Sequence, residues 1–283
     1  MVDSVPCAMC HGCSTKYGYT DSCSLDLRLK RRKTYKLEFE LEGPLFLEGG
    51  PTFQPLSEKT SAEVDYSNVD IPYRLTKELL SHFPKAKTKG SLMLDLGCGN
   101  MDHKSVSEYA GYEYVGLDYD SPQAPILGDA HSLPFRDNSF EFILSMAVLE
   151  HIRFPFVMAK EAYRVLKPHG KFIGTVSFLE PFHSNSFYHH THLGTLNSLL
   201  YGGFQVECVA PQKEWPGLVA QAYMGLFPRM PLPLAKAMVL PLQTLHKLWW
   251  RVGGLLNPEA NEQNRVLSTT GAFTFVAIKR PRQ

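Results

Sequence analysis

The sequence has almost no net charge and no long hydrophobic run. Its 283 residues include 29 Lys and Arg against 28 Asp and Glu, which gives a formal net charge of +1. A near-neutral protein is not attracted to nucleic acid by bulk electrostatics, although a local basic patch remains open. A membrane-spanning helix needs about 18 uncharged apolar residues, and the most apolar stretch, residues 215–228, ends at Arg229. The composition therefore excludes an integral membrane protein of the helical kind.

The N-terminus lacks the apolar segment of a secretory signal. The first positions hold cysteines and polar residues, and Asp3, Asp21 and Asp26 are atypical of a transit peptide. We therefore expect a cytoplasmic location. In that compartment cysteines serve more often as metal ligands or plain thiols than in disulfides.

Most of the 6 cysteines lie near the N-terminus, at Cys7, Cys10, Cys13 and Cys23. Their spacing predicts a structural zinc site, although it differs from that of a standard zinc finger. A c-type haem, an iron–sulfur cluster and an unliganded tail are the alternatives. The basic run 28–33 is expected to be a solvated surface, with contact to RNA or to anionic lipid head groups as its alternative.

From about residue 70, short apolar strands alternate with segments of helix length. Such alternation is typical of a doubly wound α/β sheet with parallel strands. The expected strands cover 92–96, 112–117, 124–128, 140–145, 171–177, 204–209 and 273–278, and the expected helices cover 73–83, 156–166 and 193–201. We expect a cysteine-containing extension over residues 1–60 and one domain over 61–283, which carries a helical insertion at about 212–270.

The insertion contains apolar residues at helical spacing, namely Ala235, Met238, Leu242, Leu245, Trp249 and Val252. We expect this helix to pack over the active site as a lid and to bury that stripe. The alternative is a helix that lies on a membrane surface and recruits a lipid-linked acceptor.

A glycine-containing turn follows the first strand of the domain, in the sequence Leu94-Asp-Leu-Gly-Cys-Gly-Asn100. Ligands of doubly wound sheets bind at such strand ends, and glycine lets the backbone approach them closely. A dinucleotide fingerprint would need glycine at position 102, where the chain has Asp102. The turn, preceded by Asp95, is better suited to a cationic nucleoside without phosphate.

Two more acids follow the next two strands. Asp118 lies about 20 residues after the glycines, the spacing of an acceptor for ribose hydroxyls. Asp129 follows the third strand, where its carboxylate can accept a hydrogen bond from an adenine amino group. Three acids at successive strand ends are expected to converge on one nucleoside.

These motifs resemble those of the class I S-adenosylmethionine-dependent methyltransferases, in particular the type-11 branch that includes enzymes of quinone biosynthesis. The resemblance covers about residues 70–210 and the last strand. It rests on Asp95-Leu-Gly-Cys-Gly, Gly116-Leu-Asp, Gly128-Asp-Ala-His-Ser-Leu-Pro-Phe, Asn138-Ser-Phe-Glu-Phe-Ile, Val148-Leu-Glu-His and Leu166-Lys-Pro-His-Gly-Lys-Phe. The chain departs from the family at Met101, which stands in place of the family's third loop glycine, a departure that many members tolerate.

The resemblance implies a Rossmann-like sheet of seven strands, the last of them antiparallel, and S-adenosylmethionine as the cofactor. The residues that it assigns to cofactor binding are Asp95, Gly97, Cys98, Gly99, Asp118, Asp129, Ala130 and Met146. By this likeness the glycines flank the methionine part, Asp118 the ribose, Asp129 with Ala130 the adenine, and Met146 the sulfonium. Glu150 and His151 are expected to be structural more often than catalytic in this family.

The segment 180–194 would face the transferred methyl group and is rich in histidine. One interpretation is an acceptor site with a histidine as base, for which His183, His189 and Tyr188 are the candidate catalytic residues. A second is a metal site of His189, His190 and His192 that orients a diol. A third is a polar loop whose histidines cap the next helix and pack on aromatic rings.

We therefore expect a methyltransferase that acts on a small-molecule or lipid-like acceptor, most simply through oxygen. An RNA methyltransferase that uses the N-terminal region is one alternative, and a cofactor-binding partner without catalysis is another. The near-neutral charge disfavours RNA, as does the sequence Ser145-Met-Ala-Val, which stands where RNA enzymes of this class have an Asn/Asp-Pro-Pro-Tyr motif.

Overall fold

The computed structural model describes residues 8–9, 14–38, 51–72 and 74–281. Its strands are β1 (Ala8–Met9), β2 (Lys16–Tyr17), β3 (Leu25–Asp26), β4 (Leu92–Leu96), β5 (Glu113–Asp118), β6 (Ile126–Leu127), β7 (Phe140–Met146), β8 (Leu166–Ser177), β9 (Gln205–Pro211) and β10 (Ala272–Ile278). Its α-helices are α1 (Lys77–Leu80), α2 (Lys104–Tyr109), α3 (Pro155–Val165), α4 (His192–Gly202), α5 (Gly217–Ala220), α6 (Leu232–Gly254) and α7 (Glu262–Thr269). A 3₁₀ turn at Leu149–His151 and a π-helical turn at Gln221–Leu226 complete the elements.

The central sheet has eight strands in the order β3-β6-β5-β4-β7-β8-β10-β9. Strands β4 to β8 pair in parallel, and β10 pairs antiparallel with both β8 and β9. The expected seven-stranded doubly wound sheet with an antiparallel last strand is therefore confirmed. Because connections between parallel strands must cross over the sheet, the carboxyl ends of β4, β5, β6 and β7 meet at one edge.

The eighth strand, β3, was not predicted. It comes from the N-terminal extension and pairs in parallel with β6. The backbone N–H of Leu25 donates to the Pro125 carbonyl at 2.9 Å, and that of Leu27 donates to the Leu127 carbonyl at 2.7 Å. A strand of two residues is too short to produce a period-two hydrophobic pattern, so the sequence contains no signal for it.

The two faces of the sheet are buried by different helices. Alternate side chains of a strand point to opposite faces. Leu94 and Ile143 belong to a core cluster that includes residues of α3 and α4, whereas Met93 and Phe142 belong to a cluster that includes residues of α1 and α2. This double burial explains why the strands are almost uninterrupted apolar runs.

Helix α1 is shorter than the predicted helix over 73–83. Thr76 has an extended backbone, and its hydroxyl accepts a hydrogen bond from the N–H of Leu79 at 3.2 Å, which makes it the N-cap. Ser81 ends the helix, and Tyr73 lies outside the described residues. A threonine cap therefore replaces the first turn that the apolar spacing predicted.

The insertion is closed at its base, where Pro216 pairs with Thr270 and the N–H of Gly271 donates to the Trp215 carbonyl at 2.7 Å. Its long helix, α6, packs differently from the expectation. Of the predicted stripe only Ala235 is buried, while Leu245 is 60% exposed and Trp249 72% exposed. The expected burial of the stripe is wrong, because α6 turns its other side, with Val239 and Trp250, toward the rest of the chain. Within the described residues no helix is long and apolar enough to cross a bilayer.

Candidate cofactor and acceptor site

The glycine turn after β4 is pressed against the end of β5. The N–H groups of Gly97 and Cys98 both donate to the Leu117 carbonyl, at 2.8 and 3.1 Å. Gly97 has a φ of +79°, and a Cβ at this position would lie 2.3 Å from Cγ2 of Val148. Only glycine fits both the backbone conformation and the space. A Cβ at Gly99, whose φ is +50°, would meet open space.

Asp118, at the end of β5, fixes this turn. Its Oδ2 atom accepts a hydrogen bond from the N–H of Gly99 at 2.9 Å. Its Oδ1 atom accepts from the N–H groups of Asp120 and Ser121, at 3.2 and 3.1 Å. The Ser121 hydroxyl in turn donates a hydrogen bond to the Gly99 carbonyl at 2.7 Å. A carboxylate has about four acceptor positions, so the half-buried Asp118 retains capacity for a ligand hydroxyl.

Asp95 lies deeper than Asp118 in the same edge. In the parallel register it is opposite Gly116, two positions before Asp118, and it is fully buried. Its Oδ2 atom accepts from the Tyr114 hydroxyl at 2.8 Å and lies 3.1 Å from Nδ1 of His103. Its Oδ1 atom has no hydrogen-bond partner among the described residues. Because a buried carboxylate oxygen without a partner is costly, Asp95 favours a positive charge nearby.

Asp129 follows β6, whose Leu127 is opposite Asp118. Its Oδ1 atom accepts from the backbone N–H of His131 at 2.9 Å and lies 2.7 Å from Nδ1 of the same residue. Because Nε2 of His131 accepts from the N–H of Phe154 at 3.0 Å, Nδ1 carries the proton. The hydrogen bond from the His131 side chain lowers the pKa of Asp129. The carboxylate is thus held ionised, with Oδ2 left for a ligand.

His131 has no role in the sequence interpretation, although it belongs to the quoted motif around Asp129. The remaining predicted cofactor residues, Cys98, Ala130 and Met146, are buried near the same strand ends. Burial raises the pKa of the Cys98 thiol to about 12. Cys98 is therefore a neutral, unreactive thiol at neutral pH.

The basic run 28–33 and the next residues contact the loops after β5 and β6. The Tyr35 hydroxyl donates to the His131 carbonyl, and Nζ of Lys33 donates to the Ser132 hydroxyl at 2.8 Å. The Arg28 guanidinium lies 5.9 Å from the centre of the Tyr119 ring. The run therefore contributes Arg28 and Lys33 to the surface beside the candidate nucleoside site.

The structure describes only one of the four residues of the predicted zinc site. Cys23 is an exposed free thiol with a φ of +63°. Cys7, Cys10 and Cys13 lie outside the described residues. The zinc site stays a prediction.

On the acceptor side of the site, two glutamates lie within hydrogen-bond distance of the same serine hydroxyl. The Ser177 hydroxyl lies 2.6 Å from Oε1 of Glu150 and 2.6 Å from Oε2 of Glu180. One hydroxyl can donate to only one of them, so the second carboxyl must carry a proton of its own. Burial raises the pKa of Glu150, and we therefore assign the proton to Glu150.

Glu180 connects this acidic pair to the insertion and to the histidine-rich segment. Its Oε1 atom accepts from Nε1 of Trp215 at 2.5 Å. Nδ1 of His183 lies 3.9 Å from Oε2 of Glu180 and 2.9 Å from the Pro181 carbonyl. The His183 and His151 rings are 5.3 Å apart. Sequence reasoning gave no role to Ser177, Glu180 or Trp215, because these residues come together only in the folded chain.

The three predicted catalytic residues do not lie together. His183 lies beside Glu180 and within 4.8 Å of Glu150. Tyr188 is exposed, and its hydroxyl donates to the Arg153 carbonyl at 3.1 Å. His189 is exposed. Their catalytic roles stay predictions, and His183 is the residue that geometry favours.

The predicted metal site of three histidines is wrong for the described structure. His190 is buried, with Nε2 3.4 Å from the Leu149 carbonyl. The His192 ring instead packs 4.9 Å from that of Phe53. Successive residues of an extended segment point in different directions, which separates the three imidazoles. The cap of α4 is Thr191 and not a histidine.

Comparison with known proteins bears on this arrangement. Residues 94–174 match the family model described as a methyltransferase domain. They include the glycine turn, Asp118, Asp129 and the Glu150–His151 pair. The match supports, for this part of the chain, the resemblance to methyltransferases that the sequence motifs indicate.

The methyltransferase domain has similar regions in several curated proteins. A putative methyltransferase of Encephalitozoon cuniculi is 37% identical over 108 residues, which are 35% of this chain and 50% of that protein. Sterol 24-C-methyltransferase erg6 of Schizosaccharomyces pombe is 32% identical over 101 residues, which are 29% of this chain and 27% of that protein. The chain thus spans half or less of the length of these relatives.

Solved structures are similar to the methyltransferase domain and its surroundings. One is the complex between the Haloferax volcanii Trm112 methyltransferase activator and a putative methyltransferase, with 20% identity, a TM-score of 0.48 and coverage of 72% of this chain and 88% of that chain. Another is phosphoethanolamine N-methyltransferase 2 of Haemonchus contortus in complex with S-adenosyl-L-methionine, with 20% identity, a TM-score of 0.45 and coverage of 72% and 51%.

Proposed function

We propose that the protein is an S-adenosylmethionine-dependent methyltransferase that methylates an oxygen of a small-molecule or lipid-like acceptor. The observation that carries the proposal is the buried carboxylate of Asp95, directly before the glycine turn, whose Oδ1 atom has no hydrogen-bond partner among the described residues. A positively charged nucleoside fits this edge, because Asp118 and Asp129 lie at the ends of the two neighbouring strands. The methyltransferase family of residues 94–174 supports the same cofactor.

Different residues would contact different parts of the cofactor. Gly97 and Gly99 would hold the methionine part, with Asp95 as its counter-charge. Asp118 would accept hydrogen bonds from the ribose hydroxyls. Asp129 and Ala130 would contact the adenine, and Cys98 and Met146 would fill the pocket. When bound, the cofactor supplies an electrophilic methyl group on a sulfonium.

The acceptor side must hold the nucleophile in line and remove its proton. Alignment alone lowers much of the barrier of such a displacement. A lone pair of the acceptor oxygen forms the new C–O bond, while the electron pair of the broken S–C bond stays on sulfur. We assign the hydroxyl proton to the His183 imidazole, which is oriented by the Pro181 carbonyl beside Glu180.

The insertion provides room for a larger acceptor. A cavity of about 1080 Å³ lies between α6 and the parts of the chain before and after it. Apolar residues such as Leu179, Val219 and Leu240 line it, together with Lys236 and Lys247. Its charged side chains are four basic ones, Lys213, Lys236, Lys247 and Arg265, and two acidic ones, Glu214 and Glu262. The excess of basic groups suits an acceptor with a hydrocarbon part and an anionic group.

We also propose that α6 docks on the anionic surface of a membrane, with the protein in the cytoplasm. Leu245 and Trp249 are exposed on one side of α6, and Leu255 and Leu256 follow at its end. No Asp or Glu occurs between Glu214 and Glu259, whereas Arg229, Lys236, Lys247 and Arg251 do. An apolar side with flanking cations matches an interfacial helix on anionic lipid.

The experiment is a transfer assay with the full chain and methyl-labelled S-adenosylmethionine. A lipid extract, a water-soluble extract and total RNA are offered separately. The proposal expects label in the lipid or small-molecule fraction, and His183→Ala should reduce transfer at least tenfold while His189→Ala retains it. Label in RNA alone would support the RNA enzyme. Cofactor binding without transfer to any fraction would support a non-catalytic partner.

A further inference from the structure

Three side chains on the acceptor side form a set of potential metal ligands. Glu150, His151 and His183 each offer one ligand atom, and these atoms lie within 4.8 Å of one another. In the part of the chain that the structure describes, no other set of three meets this distance. Ligand atoms that are each about 2.1 Å from one cation are roughly 3–4 Å from one another. Small side-chain rotations would bring the three ligand atoms to these distances.

Two of the three side chains, those of Glu150 and His183, are oriented by a further partner. The Ser177 hydroxyl contacts Oε1 of Glu150 at 2.6 Å. Nδ1 of His183 lies 2.9 Å from the Pro181 carbonyl. A histidine that donates one ring N–H to a carbonyl keeps a lone pair on its other nitrogen. Such outer partners are typical of metal-binding histidines and carboxylates.

The second oxygen of Glu150 provides an independent observation. Glu150 is fully buried, and its Oε2 atom has no hydrogen-bond partner among the described residues. Leaving a buried acceptor without a partner costs free energy. A cation between Glu150 and the two histidines would satisfy this oxygen.

We propose that Glu150, His151 and His183 bind a divalent first-row transition-metal cation. Two imidazoles and one carboxylate are a common donor set for such cations and leave coordination positions open. The inference deepens the proposed function and rests on it in one respect, since the open positions are assigned to oxygen atoms of the acceptor. An acceptor with neighbouring hydroxyl groups could occupy two of them.

With a cation bound, His183 would be a ligand and not the base. The cation would lower the pKa of the coordinated acceptor hydroxyl, whose proton would pass to bulk water. An imidazole whose lone pair is bound to a metal cannot take up the acceptor proton, so the two roles exclude each other. Glu150→Gln separates them, because it removes the carboxylate that Glu150 presents once a cation has displaced its proton, and it leaves the His183 imidazole in place. A metal-assisted enzyme loses activity in this variant, whereas an enzyme with His183 as simple base retains it.

The test is a titration of the full chain with Mn²⁺, in which binding is measured as the loss of the EPR signal of the free ion. Mn²⁺ prefers oxygen and imidazole ligands to thiolates, which avoids the N-terminal cysteines. We expect one Mn²⁺ per chain, an affinity reduced by roughly tenfold or more in Glu150→Gln and in His183→Ala, and an unchanged affinity in His189→Ala.

His183→Ala provides a second variant if Glu150→Gln fails to fold, because His183 is only partly buried. Absence of Mn²⁺ binding to the parent chain, or equal binding by all variants, would overturn the proposal. Calorimetry with S-adenosylhomocysteine on the same proteins separates the two proposals. Metal binding without nucleoside binding would reject the proposed function and keep the cation site, and the reverse result would reject the cation site alone.

Discussion

Gly97 is the position in the candidate site where a single methyl group should matter most. Its φ of +79° is unfavourable for other residues, and a Cβ would meet Val148 at 2.3 Å. We expect Gly97→Ala to lower the free energy of unfolding by about 2 kcal/mol or more, measured by chemical denaturation. Gly18→Ala is the matched control, because a Cβ there has no neighbour within 4 Å. Equal stability of the two variants would contradict the close packing of the turn.

His82 predicts a pH dependence of stability. Burial lowers its pKa to about 4, below the value of about 6.5 in the unfolded chain. Between these values the unfolded state binds the proton and the native state does not. The contribution of His82 to the free energy of unfolding is therefore complete above about pH 6.5. It decreases as the pH falls toward 4, by up to about 3 kcal/mol.

His82→Gln should flatten this part of the profile, because glutamine does not titrate. Denaturant melts at pH 7.5 and pH 5 measure the difference, and the exposed His189→Gln is the matched control. A pH dependence that is the same in His82→Gln and in the parent chain would show that His82 is not held neutral by the fold.

The position of Asp118 and Asp129 at one edge of the sheet could be predicted from the sequence, whereas the contacts among Glu150, Ser177 and Glu180 could not. Asp118 and Asp129 follow strands that are recognisable as apolar runs, so their spacing fixes their place at one edge of the sheet. Glu150, Ser177 and Glu180 meet only because β8 and the turn after β7 lie side by side. No local pattern encodes that contact.

Among the elements, α6 is the one whose packing the sequence misjudged. Apolar residues occur on more than one side of this helix, so periodicity alone did not identify the side that packs on the chain. The exposed side includes Leu245 and Trp249. Its exposure is the reason for the proposed membrane contact.

Flotation with vesicles that contain anionic lipid tests this contact. The double variant Leu245→Glu, Trp249→Glu should reduce the bound fraction roughly tenfold or more, because burying one large apolar side chain contributes about 1.5–3 kcal/mol. Leu200→Glu, at an exposed leucine of α4, should bind like the parent chain. Flotation of the double variant at the parent level would reject α6 as the docking element, and so would absence of flotation by the parent chain.

For the whole molecule, the alternation of apolar strands and helices was enough to predict a doubly wound sheet, and the family resemblance added the antiparallel last strand. The addition of β3 was not predictable, because a two-residue strand is determined by the free edge of β6 and not by its own sequence. The same edge brings Lys33 and Tyr35 beside the loop that carries Asp129. The N-terminal extension is thus part of the surroundings of the proposed cofactor site.

The central claim is that the carboxyl edge of β4, β5 and β6 binds a sulfur-containing nucleoside. Calorimetry with S-adenosylhomocysteine on the full chain tests it most directly. The account predicts binding by the parent chain, a loss of roughly tenfold or more in Asp118→Ala, and little change in Asp120→Ala at the exposed neighbouring acid. Absence of binding by the parent chain, or an unchanged affinity in Asp118→Ala, would contradict it.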